Sequence, residues 1–330
     1  MGVQWQPLDR RSVLQTWQWR DEVRQQIVNT DIDGLMTAAL LHQLKGWPIA
    51  GFYDTETLWL SESTVTPLDL GQTLWVDVDM CWPGARSLSQ HVVTVSPSLR
   101  GAVAGHATTI NPNLAVGCHG GHAGAYRDKY PFGTFQWAAW IAGSPRPPAL
   151  SDYLCTGLAW MPDGGFVSVN HPSWRQNCLN WSTVTLPGSV LSPLAVTGTA
   201  QAQGIVRAAA RHLAGSAPIL GSWRNLQYVM AQAKGGGCPV IDPATTQGRD
   251  DVQGVVDRLT QAFGWRPLHI PLTPERYVGT WQTSTSPPPG WPGSANTKAV
   301  VSMAITGMRQ YCWTTPTNNR GLPHLRAALP

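Results

Sequence analysis

The chain has 330 residues, 42% of them hydrophobic and 13% charged, with a formal net charge of +4. That length suits two domains, the apolar fraction excludes a disordered chain, and the small positive charge neither demands nor opposes an anionic partner. No stretch approaches the ~20 apolar residues of a membrane span. The opening MGVQWQPLDRRSVLQ holds no signal-type apolar run, and Gln6 breaks the myristoylation pattern, so a cytoplasmic protein with no membrane partner is expected. Cys81, Cys118, Cys155, Cys178, Cys238 and Cys312 form no C-x-x-C pair and are expected reduced. Seventeen tryptophans admit two readings, bulk for packing or platforms for stacking on bases or sugars.

In chain order, VRQQIVNT at 23–30 predicts a strand and LMTAALLHQL at 35–44 has helical spacing of its apolar residues. WPIAGFYD at 47–54 and TLWVDVD at 73–79 predict extended runs, followed by a helix or turn at 84–89. ATTINPN at 107–113 ends a short extended segment at a turn, and the loop VGCHGGHAG leads to helices in TFQWAAWIAG and SDYLCTGLAW. This strand–helix–strand rhythm predicts an α/β fold with a parallel sheet, whose ligand sites gather beyond the carboxyl ends of its strands. The stretch 172–194 has no clear assignment, and a domain boundary is placed near 190, giving domains 1–190 and 191–330. Beyond it, helices are predicted at 197–213, 222–234 and 250–263. WRPLHIPL, YVGTWQTSTS and AVVSMAITGMRQYCWTT then read as β-like, which makes the second part a smaller α+β domain.

Both Asp31/Asp33 and Asp77/Asp79 fall at predicted strand ends. In VNTDIDG two aspartates at i and i+2 can converge on one cation, or they can cap the helix that follows. Asp77 follows a strand of buried character, where a carboxylate is costly unless it is solvated or neutralised. Asp163 in GLAWMPDGG closes a third acidic loop. Three such loops at one sheet edge suit Mg²⁺ or Mn²⁺, which favour oxygen ligands with an occasional imidazole.

These segments resemble the DHH phosphoesterases, a family that includes RecJ exonucleases, nano-RNases, cyclic-dinucleotide phosphodiesterases and inorganic pyrophosphatases. NTDIDGLMTAALL is similar to their first motif, VDVDM to their second, ATTINPNL to the A-x-x-x-N-P-N segment of RecJ-like members, and DYLCTGLAWMPDG to their fourth. The order and spacing cover roughly residues 20 to 170. The resemblance implies Asp31, Asp33, Asp77, His91 and Asp163 as ligands of one or two Mn²⁺ or Mg²⁺ ions, with Asp77 bridging and Asp77 and His91 catalytic. It further implies hydrolysis of single-stranded nucleic acid or of short, including cyclic, oligonucleotides, with Asn111 and Asn113 on the substrate side.

The pattern departs from the family at the D-H-H position, which reads Ser89-Gln90-His91, and at Asn29, where an acid or histidine is usual. Asn29 and Gln90 offer only weaker carbonyl ligands, and His106 is a candidate replacement imidazole. His119 and His122 are further candidates, each set against an ordinary loop histidine. KGGGCP at 234–239 resembles the family's glycine-rich phosphate loop, with Lys234, Gly235, Gly236 and Gly237 able to meet an anion and Cys238 where a histidine is usual. A flexible linker is the other reading of that segment. Arg224 and Arg309 are phosphate contacts without a motif, and Trp265, Trp281, Trp291 and Trp313 are the tryptophans to test for base stacking. The alternative to an enzyme is a degenerate relative that binds nucleic acid or a protein without cutting.

Overall fold

The computed structural model describes residues 5–64, 68–81, 84–91, 109–116, 128–143, 153–164, 169, 171–214, 242–284, 302–307 and 310–315. Short, almost wholly buried strands lie at its centre: β1 (Gln25–Val28), β2 (Ile49–Tyr53), β3 (Thr57–Leu60), β4 (Thr73–Val76), β5 (Arg86–Leu88) and β6 (Thr109–Ile110). Together with β7 (Glu275–Val278) they form one seven-stranded sheet in the order β6-β5-β4-β1-β2-β3-β7. The five strands from β6 to β2 run parallel, and β3 and β7 add an antiparallel edge. The fold is therefore α/β with a mixed, mostly parallel sheet: the helices share one apolar cluster with Val28, Phe52 and Val76, while Ile27, Tyr53 and Trp75 pack with Leu68, Leu70 and Met80 of the connecting segments in a second.

Helix α1 (Arg10–Thr16) precedes the sheet, and α2 (Ile32–Lys45) makes the crossover from β1 to β2. Asp31 caps α2 at its start, and Gly46 at φ 77° ends it. A short α3 (Pro112–Ala115) follows β6. The remaining helices are α4 (Thr134–Ile141), α5 (Tyr153–Trp160), α6 (Arg175–Leu179), α7 (Thr199–Ala214) and α8 (Thr246–Phe263). Elements on both sides of residue 190 share one apolar core: Val206 and Ala209 of α7 and Val255 and Leu259 of α8 are buried with Leu35, Phe135 and Leu158. A separate antiparallel sheet, β8 (Thr280–Ser284), β10 (Gln310–Thr315) and β9 (Ser302–Gly307), meets the first at a Met80–Ser302 bridge. There the Tyr53 hydroxyl and Ser302 Oγ are hydrogen-bonded at 2.8 Å.

Trp17, Trp19, Trp47, Trp59, Trp75, Trp137, Trp140, Trp160 and Trp181 are all buried, which makes packing their role. Among the described residues no helix is long and apolar enough to cross a membrane. Cys81, Cys155 and Cys178 are free thiols, as expected.

Two readings need correction. Residues 84–89 form no helix: Gly84 turns the chain at φ 86°, and Arg86–Leu88 form β5, whose Arg86 is buried because it pairs with Glu22 and lies over the Trp19 ring. WRPLHIPL forms no strand. Pro267 and Pro271 lack the N–H a ladder needs, and the Ile270 N–H donates instead to the Gln253 side chain at 2.8 Å. The stretch 172–194 holds α6, which loosens into a π-helical turn at Asn180–Thr185. The helix expected at 222–234 lies outside the described residues.

Where α5 crosses α7, a Cβ on Gly157 would stand 2.6 Å from the Ile205 carbonyl and 2.8 Å from the Ala209 Cβ. Gly157→Val should therefore force the helices apart and lower stability by about 1–3 kcal/mol, which denaturant unfolding would show as an earlier midpoint.

Candidate functional site

The register of the parallel strands builds the site. Val28 pairs with Val76, Val76 with Leu88, and Leu88 with Ile110. The residues that follow, Asn29, Asp77, Ser89 and Asn111, therefore emerge in one row at the carboxyl edge. The row spans the point where the chain, having gone from β1 out to β2, returns on β1's other side as β4. Such a reversal opens a crevice in parallel sheets.

Asp77 turns the chain sharply at φ 60°, and Asp163 does so at φ 51°. Together with Thr55 they are the described non-glycine residues at positive φ. This conformation costs an L-residue about 1–2 kcal/mol, though aspartate tolerates it better than most. Gly34 answers a related demand, because a Cβ there would collide with the Asn29 carbonyl.

Asp77 has no exposed surface. Its Oδ1 accepts from Thr134 Oγ1 at 2.6 Å and pairs with His91 Nε2 at 3.0 Å, while Oδ2 accepts from Asn29 Nδ2 at 2.8 Å. Burial alone would raise its pKa, but the charge of His91 and these three hydrogen bonds outweigh burial and hold it below the usual range. For His91, burial pulls downward, and the Asp77 carboxylate overrides it to bring the imidazole to about 10. Next to it, the Gln90 amide donates to Asp163, and the Gln90 carbonyl accepts from Asn113 Nδ2 at 2.7 Å. Burial, reinforced by the charge of Asp77, raises Asp163 to about 6 against the pull of His91 and Lys129.

Asp31 serves first as a cap: Oδ1 accepts from the Gly34 N–H at 2.9 Å, and Oδ2 lies 3.4 Å from Asn29 Nδ2. Burial and the charges of Asp77 and Asp163 raise it well above the usual carboxylate range. Asp33 has a different engagement. Its two oxygens accept from the N–H groups of Thr134 and Phe135 at 2.6 and 2.7 Å, so it clamps the start of α4. A Cβ on Gly133 would lie 2.6 Å from that carboxylate, so only glycine leaves room for the approach. The clamp also holds the Thr134 hydroxyl on Asp77.

The structure thus brings the buried Asp31, Asp77 and Gln90 and the half-buried Asn29, His91 and Asp163 into one cluster and sets Asp33 beside it as a clamp. Asn111 and Asn113, expected on the substrate side, are buried and tie the site together. Asn111 Nδ2 donates to the Asp79 carboxylate at 3.2 Å, and Asn113 Oδ1 accepts from the Tyr130 N–H at 2.6 Å. His106, His119, His122, Arg224, Lys234, Gly235, Gly236, Gly237, Cys238, Trp291 and Arg309 lie outside the described residues. Sequence reading missed Thr134 and Lys129. YPFGT before an apolar helix could have marked Thr134 as a polar group at a helix start, whereas nothing local distinguishes Lys129, a half-buried cation acting on Asp163.

No family model, curated protein or solved structure matches the chain. The cluster therefore has to be judged on its own chemistry. Among the described residues, no three His, Cys, Asp or Glu side chains stand as a ready-made metal-ligating group. The donor chemistry nevertheless fits one hard divalent cation, with Asp31, Asp77 and Asp163 offering oxygens and His91 a nitrogen. Two of those carboxyls are raised by burial and mutual repulsion, which a cation would relieve.

A carboxyl whose folded-state pKa exceeds its unfolded value stabilises the fold below the unfolded value, and that contribution is lost as pH rises through the folded one. Asp163 thus withdraws stability through about pH 6, and His91 does so above its ordinary 6.5 and on towards about 10. The metal-free chain should melt at a lower temperature at pH 8 than at pH 5, and Asp163→Asn should flatten that decline in thermal melts. Asp33→Ala should leave two buried N–H groups without acceptors and cost about 2–3 kcal/mol. Asp33→Asn, which keeps one acceptor, should cost less in the same denaturant titration.

Proposed function

We propose that the chain is a DHH-type phosphoesterase that cleaves phosphodiesters in single-stranded nucleic acid or in short, including cyclic, oligonucleotides. The observation that carries this reading is the in-register row at the sheet's switch point. It gathers Asn29, Asp31, Asp77, Gln90, His91 and Asp163 from motifs far apart in sequence but in the order the family resemblance requires. In this reading Mn²⁺ or Mg²⁺ is held by Asp31, Asp77, His91 and Asp163. When bound, such an ion polarises the phosphoryl group and makes water acidic enough to attack near neutral pH. Asp33 orients α4 so that Thr134 fixes Asp77, and Asn29 holds Asp31 and Asp77 at a common edge. His91 ligates only once it gives up its proton, so metal affinity should rise with pH. The division into a phosphoesterase domain at 1–190 and a substrate-binding α+β domain at 191–330, with KGGGCP meeting an anion, belongs to the same proposal.

One observation favours a second reading, a protein that binds nucleic acid or another protein without cutting. Asn29 and Gln90, which stand where the family's pattern has stronger ligands, already donate to Asp77 and Asp163 and satisfy those carboxylates without a cation.

Hydrolysis of single-stranded DNA, single-stranded RNA, dinucleotides and cyclic dinucleotides with Mn²⁺ separates the two. The enzyme reading predicts cleavage of at least one substrate, lost in Asp77→Ala. Gln90→His, which restores an imidazole, should tighten Mn²⁺ binding at least about tenfold by calorimetry. Absence of cleavage from the whole panel, with no heat of Mn²⁺ binding, would leave only the binding protein.

A further inference from the structure

Asp128, Lys129 and Tyr130, just ahead of α4, belong to no helix or strand, yet each of their backbones is tied down. The Asp128 carbonyl accepts from Trp181 Nε1 at 3.0 Å and the Lys129 carbonyl from Asn177 Nδ2 at 2.7 Å. The Tyr130 N–H donates to Asn113 Oδ1 at 2.6 Å. Trp181 belongs to the π-helical turn that follows α6, a feature that recurs at functional sites. The wholly buried Tyr130 ring stands edge-on to it, with centroids 5.1 Å apart. Three side chains thus hold three successive peptide groups, and the middle residue of the three is a lysine.

That segment is set directly against the carboxylate cluster. Asn113 receives the Tyr130 N–H and donates to the Gln90 carbonyl at 2.7 Å, next to His91. The lysine charge also reaches the cluster: burial lowers the ammonium pKa, the Asp163 charge acts against that, and Lys129 in turn lowers Asp163. Asn29, His91 and Asp163 are half-buried, so a ligand can reach the cluster through them, and Lys129 is half-buried as well.

A phosphodiester is an anion, and the carboxylates of Asp31, Asp33, Asp77 and Asp163 repel it. One divalent cation leaves that group short of neutral, and His91 gives up its own charge on ligating, so a fixed positive charge at the edge is needed. A lysine ammonium meets phosphate oxygens as a compact charge with three donors. We propose that Lys129 is a phosphate-binding residue that holds a phosphoryl oxygen of the substrate beside Asp163, with Asn177 and Trp181 positioning it. This rests on the phosphoesterase reading and adds to it a residue that none of the sequence motifs contains. A lysine that served only to offset the Asp163 charge would behave differently, because its removal would favour a metal and leave phosphate binding unchanged.

The test is calorimetric titration of the full chain with Mn²⁺ and then, with Mn²⁺ present, with adenosine 5′-monophosphate, which offers a phosphate but no diester to cleave. Adenosine is the control without phosphate. Lys129→Gln should weaken binding of the monophosphate about tenfold or more, the loss expected for one hydrogen bond between charged groups. It should leave adenosine binding unchanged, bind Mn²⁺ at least as tightly as the wild type, and melt at the wild-type temperature because the carbonyl bonds remain. Lys129→Arg, which keeps the charge, should recover most of the lost affinity. Equal affinity of Lys129→Gln and the wild type for the monophosphate overturns the proposal, and so does a wild type that does not bind it. In either case, heat of Mn²⁺ binding that disappears in Asp77→Ala shows that the cation site stands without Lys129. Absence of that heat in the wild type removes the phosphoesterase reading and this proposal together.

Discussion

A carboxylate with no exposed surface must have its charge met, because stripping it of water costs several kcal/mol that only close partners recover. Asp77 is that carboxylate. Its partners are Asn29 from the end of β1, His91 from beyond β5 and Thr134 from the start of α4. Meeting one charge therefore fixes the relative positions of two strand ends, the loop after a third strand and a helix. The neighbouring carboxylates follow from that arrangement. Gln90, adjacent to His91, reaches Asp163, and Asn29 reaches Asp31. The cluster is balanced by amides and one imidazolium, a set of donors that a divalent cation can replace.

The surrounding packing keeps this balance in place. α2 starts at Asp31 and is buried along most of its length against α4, so the loop bearing the first two aspartates has little freedom. Asp33 closes the circuit by holding the amides at the start of α4, which orients the Thr134 hydroxyl towards Asp77. From the other side, Asn113 fixes the Gln90 carbonyl and the Tyr130 N–H together. Polar groups that a sequence motif presents as ligands or substrate contacts thus also carry the local architecture.

Much of the arrangement could be read in advance, because it follows from short-range chemistry. The β-branched end of VRQQIVNT and the apolar run TLWV mark buried strands, and the aspartates that follow within a few residues fall at the ligand edge. Asn111 after TI and Pro112 at the start of a helix gave the turn at β6. The failures have physical causes. β5 is three residues, Arg-Ser-Leu, and is buried only because Glu22 and Trp19 neutralise and cover Arg86. β3 went unassigned, and β7 joins it across more than two hundred residues, a pairing no local pattern encodes. Asp33 is spaced as a partner of Asp31, yet the helix facing α2 recruits it. Thr134 and Lys129 acquire meaning only when α4 and its preceding loop are folded against the sheet.

The claim that this cluster is a cation site is tested most directly by diffraction from crystals of the chain grown with Mn²⁺, recorded at a wavelength where manganese scatters anomalously. The account predicts an anomalous peak within ligand distance, about 2.0–2.3 Å, of oxygens from Asp77 and at least one of Asp31 and Asp163. Asn29 or Gln90 should be displaced from its present hydrogen bond. A difference map with no peak at the carboxyl edge of β1 and β4, while the amides still hold Asp77 and Asp163, would contradict it.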